Sequence, residues 1–156
     1  MDKWILLLKL RNRAGVLNSL TALFADRGVS LESLTAHAAG GTATPYGSAI
    51  LTFTASAPKK DHLVRLLGRL DSVQAVTEYA YSDADHARKS ALARVRLSAA
   101  DLTAFLPPGI LCDIVSEADG VTLALLLGPP QLLDGTLDAL ARRGELQEAD
   151  STVIVV

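Results

Sequence analysis

Trp4-Ile5-Leu6-Leu7-Leu8-Lys9-Leu10-Arg11-Asn12-Arg13-Ala14-Gly15-Val16-Leu17-Asn18 is the stretch on which the fold turns. Its first part, 4–10, is almost continuously apolar and reads as a central strand that ends in the polar turn Arg11-Asn12-Arg13-Ala14-Gly15. A helix should follow at once. From Val16 onward the apolar residues Val16, Leu20, Leu23 and Phe24 fall on one helical stripe, which predicts a helix over 16–27 with Gly28 where a C-terminal cap belongs.

Working outward, Leu31 to Ala38 sets Leu34, Ala36 and Ala38 against Ser33, Thr35 and His37, and Ser48 to Ala55 alternates in the same way. Both read as half-buried strands. Gly40 to Gly47 between them is a loop by its glycines and Pro45, long enough to move. Pro58 opens a second helix near Lys59 that carries Leu63, Leu66, Leu67 and Leu70 on one face, and Ser72 to Tyr81 reads as a fourth strand. Strand, helix, strand, strand, helix, strand is the ferredoxin-like βαββαβ order, an antiparallel sheet with both helices on one face.

After a polar connector over 82–90 the order recurs in weakened form. Ala91 to Leu97 is a strand, Ala99 to Phe105 a helix cut short by Pro107-Pro108-Gly109, and Leu111 to Glu117 and Val121 to Leu127 are strands around a turn at Asp119-Gly120. A helix over 130–143 and a strand over 146–156 close the half. The expected class is therefore α+β: a ferredoxin-like unit over 1–81, a linker over 82–90, and a divergent copy over 91–156.

Composition narrows the function. Of 156 residues 49% are hydrophobic and 21% charged, which suits a folded core and excludes a disordered chain. A net charge of −2 offers no general positive field for nucleic acid or anionic lipid, and aromatics at 4% make a poor stacking platform for single strands. Arg11 with Arg13, and Lys59, Lys60, Arg65 and Arg69 near the second helix, read as solvated or partner-docking groups. Cys112 is the single cysteine, so no internal disulfide can form and no cysteine pair can hold zinc; within an apolar strand it reads as core packing. The apolar run 4–8 is too short for a secretory signal and 121–127 too short to span a bilayer, so the expected location is the cytoplasm.

No nucleophile elbow, phosphate-binding loop or dinucleotide fingerprint occurs, and no catalytic residue is assigned. His37, His62 and His86 fall on a strand, a helix and the connector without a ligand cluster. Asp83, Asp85 and His86 belong to a solvated linker, so no metal is assigned and no cofactor is expected. What remains is the turn before the first helix. Its first backbone N–H groups lack intrahelical partners, Gly15 lets a carboxylate come close to them, and Asn12 is placed to cap the helix or to bond the ligand. The same residues also make an ordinary capped turn.

Asn12-Arg13-Ala14-Gly15-Val16-Leu17, the helix end Asp26-Arg27-Gly28, and Val29-Ser30-Leu31-Glu32-Ser33-Leu34-Thr35 together resemble the N-terminal ACT domain of the small, regulatory subunit of acetohydroxyacid synthase (acetolactate synthase). The likeness continues through Cys112-Asp113-Ile114-Val115 and the helix over 132–140. It implies a homodimer of ACT domains that binds a branched-chain amino acid, chiefly valine, at the dimer interface, with contacts at Asn12, Gly15, Val16 and Leu17, Asn18 nearby, and Ser30 supplied by the partner copy. It also implies a catalytic large subunit as partner, to which the thiamine diphosphate belongs, and no chemistry in this chain. Where this chain has Ser30 the family usually has asparagine, and a hydroxyl has a shorter reach and a single donor.

Overall fold

The computed structural model describes residues 1–38 and 45–155. It divides into two compact units, Met1–Tyr81 and Ser82–Val156. The first holds β1 (Asp2–Arg11), α1 (Val16–Asp26), β2 (Leu31–Ala38), β3 (Tyr46–Ala55), α2 (Ala57–Leu67) and β4 (Val73–Ala80). The second holds β5 (Ala87–Val95), α3 (Ala99–Phe105), β6 (Leu111–Ala118), β7 (Val121–Gly128), α4 (Pro130–Arg142) and β8 (Leu146–Val155). Each is βαββαβ, with sheet orders β2-β3-β1-β4 and β6-β7-β5-β8 and antiparallel pairing throughout. The ferredoxin-like α+β fold is thus present twice.

In the first unit a two-residue period along β1 and β3 decides which residues join the core beneath the helices. Leu6, Leu8 and Leu10 of β1 pair with Leu51, Ala49 and Gly47 of β3, and the leucines and Ala49 join one core. Val16, Leu20 and Phe24 of α1 and Leu63 and Leu67 of α2 close that core from the helix side. Phe24 meets Phe53 edge to face, with ring centroids 5.1 Å apart. At the end of α1, Gly28 (φ +63°) turns the chain: its N–H bonds the carbonyl of Ala25, and the N–H of Val29 bonds that of Phe24, the paired closure a left-handed residue permits.

Several boundaries differ from the sequence reading. Strand β3 starts at Tyr46, so Tyr46 and Gly47 leave the expected loop and pair with Arg11 and Leu10. The rest of that loop, 40–44, lies outside the described residues. Helix α2 starts at Ala57, with Pro58 in its first turn where a missing N–H costs nothing, and Leu70 packs on the core from beyond its end. Strand β5 starts at Ala87, so residues 87–90 of the expected linker belong to the second sheet, pairing with 152–155. Lys89 is tolerated there because its ammonium reaches Asp134 of α4 at 2.6 Å. Strand β7 buries only alternate residues, Thr122, Ala124 and Leu126, while Leu125 is 42% exposed. Cys112 is half-buried against the second core, where burial and then the neighbouring Asp113 raise its thiol above the ordinary cysteine value.

Candidate ligand site at the first strand-to-helix turn

The turn between β1 and α1 is fixed from below by its main chain. The N–H of Arg11 bonds the carbonyl of Ser72 at 2.8 Å and that of Asn12 the carbonyl of Pro45 at 2.7 Å. Gly15 then takes φ +83° as the N-cap of α1, a left-handed conformation that a side chain would strain. Its carbonyl receives the Ser19 N–H at 3.0 Å and the Ser19 hydroxyl at 3.2 Å.

No side chain caps α1, and no acidic residue lies in its first turn. Asn12 therefore does not act as the helix cap, one of the two roles its position suggested: the chain reaches the helix through Gly15 three residues later, and Asn12 is left exposed at the turn. The amides of Leu17 and Asn18, at helix positions whose N–H groups have no intrahelical acceptor, stand next to a concave surface. That cavity measures about 460 Å³ and is lined by Asn12, Gly15, Val16, Leu17 and Asn18 together. Five of the six residues expected at the site share one cavity.

Ser30 is elsewhere. It borders a separate depression with Thr21, Phe24 and Gly28 at the other end of α1, and a helix of 11 residues separates the two by roughly 16 Å at 1.5 Å per residue. One chain does not bring Ser30 to Gly15.

The cavity also has walls that sequence reasoning did not assign to it. Arg11 and Arg13 flank Asn12, Ala36, His37 and Ala38 come from the end of β2, and Gly47 and Ser48 from the start of β3. Register shows why: Ala38 pairs with Gly47 and Gly47 with Leu10, so the last pairs of β2 and β3 lie level with the end of β1. His37 and Ser48 are joined through Nε2 and Oγ at 2.9 Å. The signal was present in the topology, since in a βαββαβ unit the end of the second strand stands beside the first turn.

The matching turn of the second unit is closed. Ser98 caps α3 by accepting the Asp101 N–H on its hydroxyl oxygen at 3.1 Å, and its hydroxyl donates to the Asp101 carboxylate at 2.8 Å. A carboxylate already sits at that helix start. In the connector, the Asp83 carboxylate is pushed up by burial but held below its ordinary value overall by hydrogen bonds from His86 and from the Asp85 N–H.

Residues 4–72 match the family model of the ACT domain. The first unit carries that domain. Across the whole chain the fold is similar to the crystal structure of the acetolactate synthase small subunit from Thermotoga maritima, at 16% identity and a TM-score of 0.75, with 100% of this chain and 97% of that one covered. The regulatory subunit of aspartate kinase from Thermus thermophilus, in its ligand-free form, aligns at 10% identity and a TM-score of 0.48 over 90% of this chain and 91% of that one. No curated protein matches the sequence significantly. Among the described residues no helix is long and apolar enough to cross a membrane, and no cluster of histidine, cysteine and carboxylates is set to hold a metal.

Proposed function

We propose that the chain is a non-catalytic regulatory subunit of acetohydroxyacid synthase, one that binds a branched-chain amino acid at an interface between two ACT domains and adjusts the activity of a catalytic large subunit. The observation that carries the reading is the cavity at the uncapped start of α1, where Gly15 leaves the backbone open to a carboxylate and Val16, Leu17, Ala36 and Ala38 supply apolar walls. The whole-length likeness to an acetolactate synthase small subunit supports the choice of partner.

The separation of Ser30 from Gly15 supports a site shared between two copies. Strand β2 is an edge strand, with its last four residues exposed, and its unpaired main-chain groups are suited to an edge-to-edge contact that sets one copy's Ser30 near the other's turn. The amino acid acts by binding two conformations of the complex with unequal affinity, since equal affinity shifts nothing. Thiamine diphosphate belongs to the catalytic partner, and the chain works in the cytoplasm.

Acetolactate formation by the cognate catalytic subunit, measured with and without this chain while valine is titrated into each mixture, tests the reading. Stimulation together with newly acquired valine inhibition is expected. Amino-acid binding without stimulation or complex formation would replace it with a free-standing sensor.

A further inference from the structure

The cavity lining is one-sided in charge. Arg11 and Arg13 both border it, neither is ion-paired among the described residues, and no aspartate or glutamate lines it. Residues 39–44, between β2 and β3, read Ala-Gly-Gly-Thr-Ala-Thr and bring no carboxylate by sequence. Next to Ser30, the side a second copy would present, the carboxylate of Glu32 is held by Lys3 at 2.7 Å and by the Thr54 hydroxyl at 2.6 Å. Among the described residues that line the cavity, every formal charge favours an anion and none compensates an ammonium.

An ammonium has only neutral acceptors here, chiefly the Asn12 and Asn18 amides. An amide carries both a carbonyl oxygen and an NH₂, so by turning over it donates to a ketone oxygen as readily as it accepts from an ammonium. Strong rejection of an analogue requires buried polar groups that are left unpaired when the analogue binds, and an amide that can turn over leaves none.

We propose that this cavity binds small branched 2-oxo monocarboxylic acids as well as the amino acid of the same carbon skeleton, selecting the carboxylate and the apolar branch while reading the 2-position weakly. The inference rests on the cavity being the effector site. The protein would then respond to the combined pool of an amino acid and its oxo acid.

Calorimetry on the full chain with three probes tests it: L-valine, 3-methyl-2-oxobutanoate, and 2-methylpropylamine, which keeps the branch and the ammonium but has no carboxylate. The oxo acid should bind within about tenfold of valine and the amine at least about 100-fold more weakly, with the two acids weakened alike by added salt. Arg13→Gln should weaken both acids by the same factor, and Gly15→Asp should abolish both. Valine binding with the oxo acid more than about 100-fold weaker would overturn the proposal and leave the amino-acid reading standing. Oxo-acid binding without valine binding would keep the anion selectivity and remove the amino-acid reading. Binding of neither acid would remove both, and an Arg13→Gln effect confined to valine would also count against the proposal.

Discussion

Gly15 has a backbone φ of +83°, and the proposed function also asks it for room beside a ligand; a substitution can separate the two. A Cβ built at Gly15 meets nothing within 4 Å, so Gly15→Ala should cost only the left-handed strain, about 1 kcal/mol, and leave the cavity open. Gly15→Asp should cost a similar amount in stability yet abolish amino-acid binding, because its carboxylate occupies and repels the anion position. Calorimetry beside a thermal melt separates the two effects, and unchanged valine affinity in Gly15→Asp would remove the site assignment. Lys60 makes a different residue-scale case. Its ammonium is buried, 2.6 Å from Asp61 and 2.7 Å from Glu78, and 4.7 Å from the centre of the Trp4 ring. Hydrogen bonds that its ammonium donates to the Asp61 and Glu78 carboxylates raise its pKa despite the opposing effect of burial. A raised folded value means the stabilisation is complete below the ordinary lysine range near ~10.4 and is lost as pH climbs through the folded pKa. Because both carboxylates are largely solvated, the contribution should be only about 1 kcal/mol. Denaturant midpoints between pH 9 and 12 should fall for the native chain and stay flatter for Lys60→Met.

At the scale of elements, the end of β2 is held against β3 by a glycine. A Cβ at Gly47 would stand 2.8 Å from the His37 carbonyl oxygen, too close for two paired strands that both line the cavity. Gly47→Ala should therefore push β2 outward, lowering stability by about 1–3 kcal/mol and weakening ligand binding together with it. Urea denaturation and calorimetry on the same variant check both parts. Helices α1 and α3 occupy equivalent places in their units yet differ at their starts, one open and the other capped by Ser98 and Asp101. One bound amino acid per chain is the expected stoichiometry. Ser98→Ala should cost the second unit about 1 kcal/mol without creating a second ligand equivalent. Helix α1 was legible from its apolar stripe and from Gly28, and the central strands from their alternation. The start of β5 was not, because Arg88 and Lys89 look like linker until Asp134 is seen to receive the lysine.

For the molecule as a whole, the decisive feature is the exposed edge of the first sheet. Leu31 to Ala38 ends a four-stranded sheet with one side unpaired, and a second copy is the simplest way to satisfy it. Sedimentation should give a dimer. Ala36→Lys, which sets an ammonium on that exposed strand, should shift the protein toward monomer and reduce amino-acid affinity in parallel. A monomer that still binds the amino acid normally would separate the site from the edge contact.

The sequence by itself determined what depends on neighbours along the chain: the six-element order and its repeat, the faces of α1 and α2, the glycine at the turn and the absence of catalytic motifs. Periodicity and turn chemistry are local, so they can be read without coordinates. The tertiary structure decided what depends on register and on side chains meeting across the sheet. It set Ala36, His37 and Ala38 beside Asn12 and Gly15, left the helix start without the asparagine cap that was one of two roles open to Asn12, and left Ser30 at the far end of α1. Strand pairing joins residues far apart in sequence, and a one-residue shift exchanges the two faces of a strand, so which walls close a cavity is fixed only when the sheet forms.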